Sequence, residues 1–194
     1  VRASIENNAN LGGHFSTSII AEQDLDRARS AAAALLNASC AQEIVFGQNM
    51  TALTFHMSRC IGRSLRKGDE IVLTRSDHEA NISPWLELAK DLELTVRWLP
   101  FDFETYGFDL SQAASLITER TRVVALSYAN NVTGTINDVA AVAALARNMG
   151  AIVYVDAVQY APHGVIDVQA LGCDLLACSC LLYTSDAADE RSSV

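Results

Sequence analysis

Residues able to do chemistry recur in this sequence directly behind short apolar runs. Asp156 and Gln159 follow the run 151–155, which is entered through Gly150, and Ser179 follows 175–178. Asn130 and Asn131 come after 122–127, Asp77, His78 and Asn81 after 70–74, and Gly47, Gln48, Asn49, Met50 and Thr51 after 43–46. Runs of four to six β-favouring residues read as strands buried on both faces, as in a parallel sheet. Open sheets of that kind bind ligands at the carboxyl ends of their strands. One polar cluster there is unremarkable, and Asp156 alone reads equally as a cap or turn aspartate. Five clusters on the same edge point to a ligand site.

The chemistry of the clusters is specific. The turn 47–51 leads straight into a helix, whose free amides and dipole can hold a phosphate with the Thr51 hydroxyl adding a bond; the plain alternative is an Asn49 helix cap. His78 can stack on a planar ring or move protons, or be a hydrogen-bonded turn histidine. A carboxylate such as Asp156 keeps a heteroaromatic nitrogen protonated. A phosphate, an aromatic side chain and a buried acid together suit a phosphorylated pyridine, pyridoxal 5'-phosphate, which withdraws electrons only while its ring nitrogen is charged. Asn131 or Gln159 is then placed to meet the ring hydroxyl.

Other ligands fit less well. No Gly-x-x-x-x-Gly-Lys-Ser/Thr loop precedes the Walker-B-like Val155-Asp156, and no Gly-x-Gly-x-x-Gly turn follows any strand. His14, His56, His78 and His163 lack the spacing of metal ligands, so no metal is expected. The net charge of -9 and pI near 4.8 argue against a nucleic-acid surface. No apolar run reaches membrane-spanning length, residues 1–10 do not read as a signal peptide, and the five cysteines form no Cys-x-x-Cys pair. A cytoplasmic protein with reduced thiols is the expectation, beginning inside a longer chain because no Met starts it.

With 50% hydrophobic and 19% charged residues, the 194-residue chain has the composition of a globular domain. Apolar spacing predicts helices over 22–36, 50–65, 83–92 with Ser83 as cap and Pro84 in the first turn, 110–117 capped by Asp109, and 138–149 closed by Gly150. Strands are predicted over 43–46, 70–74, 94–99, 122–127, 152–155 and 175–178, and a helical turn over 167–171. The alternation specifies an α/β fold, a mostly parallel central sheet with helices on both faces.

The residues also resemble a known family. Asn8-Ala9-Asn10, Glu43-Ile44-Val45-Phe46-Gly47-x-Asn49-Met50-Thr51, Asp77-His78-Glu79-Ala80-Asn81-Ile82-x-Pro84-Trp85, Asn131-Val132-Thr133-Gly134-Thr135, Val155-Asp156-Ala157-Val158-Gln159 and the run from Ile166 to Asp174 occur in order. Together they are similar to the class V aminotransferases among the fold-type-I pyridoxal-phosphate enzymes, in particular the cysteine desulfurase-like branch. The resemblance implies that Met50 and Thr51 bind the phosphate, His78 stacks on the pyridine, Asn131 contacts the ring substituents, Asp156 pairs with the ring nitrogen, Gln159 reaches the ring hydroxyl and Ser179 adds a phosphate contact. It implies an amino-acid substrate and a homodimer with the site near the subunit interface. An epimerase or a kynureninase-like pyridoxal-phosphate enzyme on the same fold is an alternative that the resemblance leaves open.

The sequence departs from the family at its end. Three positions after Ser179 the family has the Schiff-base lysine; here that position is Leu182, and no Gly-Pro follows. Residues 1–180 are therefore expected to be a partial large domain, without the small C-terminal domain and its persulfide-forming cysteine, and inactive as written. Residues 181–194 read as a non-native tail, translated adapter or vector joined to a broken gene. A lysine-free binding or sensing module is the alternative.

Overall fold

The structure, a computed structural model, describes residue 5 and residues 9–179. Leu182 and the tail from 181 onward lie outside the described residues. Two units are formed, Val1–Phe46 with Val165–Gln169, and Gly47–Gly164 with Ala170–Val194.

In the first unit an alanine-rich stretch of strong helix formers makes α1 (Ser16–Leu36). It stops where the sequence places its end, at Asn37, which takes the left-handed conformation (φ 51°) and turns its N–H back onto the carbonyls of Ala33 and Ala34. The Gln169 side chain donates to the Asn37 carbonyl at 2.8 Å. The strand predicted over 43–46 does not form. A 3-10 turn occupies Ala41–Glu43, and Val45 and Phe46 are 72% and 53% exposed. The apolar run has β-favouring residues but pairs with no strand among the described residues, and β-propensity means little without a neighbour to pack against.

From Gly47 onward the chain alternates as its apolar pattern requires. The helix α2 (Met50–Gly62) is followed by β1 (Glu70–Thr74), α3 (Ser83–Leu92), β2 (Thr95–Leu99), α4 (Leu110–Leu116), β3 (Thr121–Ser127), α5 (Val139–Asn148), β4 (Ile152–Asp156), the single turn α6 (Val168–Leu171) and β5 (Leu175–Ala177). The strands form one five-stranded, wholly parallel sheet in the order β2-β1-β3-β4-β5. Asp109 caps α4 by accepting from the Ser111 and Gln112 amides, and Asp138 caps α5 by accepting from Ala141 at 3.0 Å. Ser83 is not a cap. Ile82 holds that position, and the Ser83 hydroxyl donates instead to the Glu79 carboxylate.

Alternation along the strands sorts the core into two layers. Ile71 and Leu73, Val123 and Ala125, and Tyr154 face α2 and α3, where they meet Met50, Trp85 and Leu88. Val72, Val124 and Leu126, and Val153 and Val155 face α4 and α5, packing on Ala113, Val142 and Ala146. Burying each such aliphatic side chain contributes about 1.5–3 kcal/mol.

At the opposite edge from the carboxyl ends, β1 begins on a carboxylate with no solvent exposure. Glu70 accepts from Arg97 Nε and Nη2, each at 2.8 Å, and from Thr118 Oγ1 at 2.9 Å, and it pairs with Arg120 at 2.7 Å. One buried acid thus ties the start of β1 to the middle of β2 and to the connection entering β3. Its carboxyl is held below the usual range, chiefly by the Arg97 hydrogen bonds, against the opposing effect of burial. Among the described residues no helix is long and apolar enough to cross a membrane.

Candidate functional site

The strand order creates a crevice. From β1 the chain passes through α3 to β2 on one side, whereas β3 and β4 build outward on the other, so direction reverses between β1 and β3. Ligands in open α/β sheets bind at such a switch point, outside the carboxyl ends. The loops leaving β1 and β3 carry His78 and Asn131. Buried Asn130 joins them: its Nδ2 donates to the Ser76 carbonyl, and its Oδ1 accepts from the Val132 and Thr133 amides at 2.7 and 2.8 Å. Asn131 stands just beyond that clamp, exposed and with its side chain free of hydrogen bonds among the described residues.

Asp156 ends β4. Two residues after Tyr154, its side chain projects from the same face, toward the α2 and α3 layer. The residue is 7% exposed, and Oδ1 accepts from the Val158 amide at 2.9 Å. Burial raises its pKa, partly offset by that bond and by nearby His78. Asp77 is its electrostatic neighbour. Burial, and then the charge on Asp156, push the Asp77 carboxyl up to about 7. Neither acid forms an ion pair with a lysine or arginine among the described residues.

His78 is exposed, but its setting is fixed. Its backbone N donates to Asp77 Oδ1 at 2.8 Å and its Nδ1 accepts from the Ala80 amide at 3.0 Å. The neutral ring therefore carries its proton on Nε2, the nitrogen left free to face a ligand.

The start of α2 supplies the opposite polarity. Asn49 caps it, its Oδ1 accepting from Ala52 at 2.8 Å and its carbonyl from Leu53 at 3.1 Å. The amides of Met50 and Thr51 are left without a partner among the described residues, at the positive end of the helix dipole. Met50 sends its side chain into the core, 5% exposed, so only its backbone is available there; the Thr51 side chain is exposed. The first turn is tied to β4 by Thr54 Oγ1, 2.8 Å from the Tyr154 hydroxyl and fully buried. Tyr154→Phe is expected to cost about 1 kcal/mol, because Thr54 keeps its bond to the Met50 carbonyl; urea denaturation checks it.

Gln159 lies half-buried in the turn after β4, and Ser179 half-buried after β5. All eight residues singled out from the sequence, Asn49, Met50, Thr51, His78, Asn131, Asp156, Gln159 and Ser179, thus sit in the second unit, beyond strand carboxyl ends or at the start of α2. The arrangement is polarised, with two acids, Asp156 buried and Asp77 partly buried, that pair with no lysine or arginine among the described residues, and a helix start whose first amides point outward from the helix end. That donor set fits a ligand with an anionic end and a cationic heterocycle.

Residues 4–180 match the family model described as aminotransferase class-V. The chain belongs to the class-V aminotransferase family. Within it, the class-V chain is cysteine desulfurase-like. It is 39% identical to the aminotransferase-like protein FGM3 of Gibberella zeae, over 97% of this chain and 49% of that protein. It is 38% identical to a probable cysteine desulfurase of Halalkalibacterium halodurans, over 82% of this chain and 39% of that protein. The solved cysteine desulfurase of Thermococcus onnurineus superposes with a TM-score of 0.83 at 31% identity, covering 90% of this chain and 43% of that one. The class-V chain thus spans less than half the length of these relatives.

Three contributors were not assigned from the sequence. Asp77 and Asn130 were visible only as members of polar clusters, since their roles lie in bonds to other elements. Tyr154 reads in the sequence as one more strand residue, although a hydroxyl inside an apolar run signals that a partner must be found.

Proposed function

We propose that this chain is the cofactor-binding part of a pyridoxal-phosphate-dependent enzyme acting on an amino acid, with cysteine favoured by the desulfurase relatives, and that the whole protein is a homodimer. The observation that carries the reading is Asp156, a buried acid that pairs with no lysine or arginine among the described residues, on the sheet face that α2 also covers. Bound pyridoxal phosphate would supply an electron-withdrawing ring able to stabilise negative charge on the α-carbon of an amino acid.

The protein's part is holding and orienting. The Met50 and Thr51 amides and the Thr51 hydroxyl would take the phosphate, as a helix start does for anions, with Ser179 adding a contact. Asp156 would hold the proton on the ring nitrogen; its desolvation makes that pairing stronger than it would be in water. His78 would lie against the ring with Nε2–H available to donate, and Asn131 and Gln159 would orient the ring substituents.

The lysines of the sequence are Lys67 and Lys90. Lys67, paired with Glu93, lies in the turn entering β1, and Lys90 in the last turn of α3, both toward the far edge of the sheet. For residues 9–179 the reading is therefore of binding, not of covalent attachment. The same fact supports a lysine-free binding module as the second reading. The uninterrupted reading frame of the parent gene separates the two, according to whether lysine stands at position 182.

Titrating the chain with pyridoxal phosphate while following tryptophan quenching is expected to give saturable binding. Asp156→Asn keeps the shape but removes the charge, and is expected to weaken that binding at least about tenfold, or about 1.4 kcal/mol. No saturable binding by the native chain, or equal affinity in the folded variant, would overturn the reading.

A further inference from the structure

We propose that Asp77 is the positioning residue of this site, its carboxylate gathering three donors in one turn and thereby fixing the backbone and ring of His78 at the switch point. That His78 is fixed by this network is independent of the function proposed above; that it is fixed for a pyridoxal-phosphate ring rests on that function.

The network leaves little freedom in its polarity. Asp77 Oδ1 accepts from the His78 amide at 2.8 Å, and Oδ2 accepts from Asn81 Nδ2 at 2.8 Å and Thr74 Oγ1 at 3.3 Å. Asn81 has no solvent exposure, and its Oδ1 already accepts from the Trp85 indole at 3.4 Å. The indole can only donate, so the Asn81 amide cannot turn over, and its NH2 must meet an acceptor at position 77. An asparagine at 77 would set N–H against N–H there or leave the His78 amide unbonded. One carboxylate thus joins the end of β1, the 3-10 turn Glu79–Asn81 and the start of α3.

His78 sits in the middle of these ties. Its ring is exposed, so packing does not order it. What orders it is the pair of bonds at its own N and at Nδ1, and an exposed side chain without them would recover its rotamer freedom. The location also costs stability, because partly buried Asp77 feels the charge of Asp156 and forms no ion pair with a lysine or arginine among the described residues. A carboxylate kept in so unfavourable a place is more typical of a functional site than of a scaffold.

The test uses the full 194-residue chain as native protein, Asp77→Asn, His78→Ala and the double variant, with far-UV circular dichroism to confirm folding. Long-range proton–nitrogen NMR spectra at about pH 8, where an imidazole is neutral, report the tautomer without any ligand. The native chain is expected to show His78 pinned with its proton on Nε2, and Asp77→Asn to show tautomer averaging. An averaged ring in the native chain overturns the proposal even if the variant fails to fold, and so does a pinned ring in the folded variant. In titrations with pyridoxal phosphate, Asp77→Asn is expected to bind about tenfold more weakly, with no further loss when added to His78→Ala. Fully additive losses would overturn action through His78. If the native chain binds no pyridoxal phosphate, the proposed function falls while the NMR result still decides the role of Asp77.

Discussion

Glu70→Ala is expected to lower the unfolding free energy by about 3 kcal/mol, read as a fall in the urea midpoint without change of slope. The carboxylate is wholly buried, whereas the side chains of its partners Arg97 and Arg120 are 33% and 68% exposed. The guanidinium groups can therefore turn toward water when their partner is lost, which puts the cost at the low end of the range for broken buried pairs. What cannot be recovered is the junction itself. Arg97 lies in the middle of β2, Arg120 immediately precedes β3, and Thr118 lies in the α4–β3 connection, so the variant loosens three neighbouring strands at once. Glu70→Gln keeps the volume and part of the hydrogen bonding and should lose less. A loss below about 1 kcal/mol for the alanine variant would show that hydration of the two arginines compensates for the pair.

The second large effect is on the pH dependence of stability. The Asp77 carboxyl is raised from 3.8 to about 7 by burial and by the charge of Asp156. Between those values the folded chain holds a proton that the unfolded chain has released. The contribution of this group is thus greatest below the unfolded pKa and falls as pH rises through the folded one, by up to about 4 kcal/mol for a shift of roughly three units. Asp156, also raised, acts with the same sign. The chain is expected to melt at a higher temperature at about pH 5 than at about pH 8, and Asp77→Asn to flatten the difference. A midpoint independent of pH across that interval would mean that the Asp77 carboxyl is hydrated.

Most of the fold was legible because burial leaves a periodic trace. Strands 70–74 and 152–155 and the cap Asp109 follow from local pattern and local hydrogen bonding alone, while Asp138, which the pattern places inside its helix, turns out to cap it. The segment 43–46 is also rich in β-favouring residues but has no neighbouring strand among the described residues, and availability of a neighbour is not written in the segment. The candidate site is legible as a set of polar residues behind strands, which is why His78, Asn131 and Asp156 are proposed from the sequence. Its wiring is not. Asp77 and Asn130 differ from their neighbours only in what they reach, and Tyr154 meets its partner Thr54 a hundred positions away in the chain.

The indole of Trp85 has a use beyond filling space. It lies fully inside the protein, edge-on to Tyr154 at 5.3 Å between ring centres, and its one polar atom bonds to Asn81, which bonds in turn to Asp77. Emission from this ring is therefore sensitive to the local electric field two hydrogen bonds from a titrating acid. Arrival of a positive charge beside that acid is expected to register as a spectral change in Trp85, which comparison with a chain lacking the other tryptophan, Trp98, would isolate.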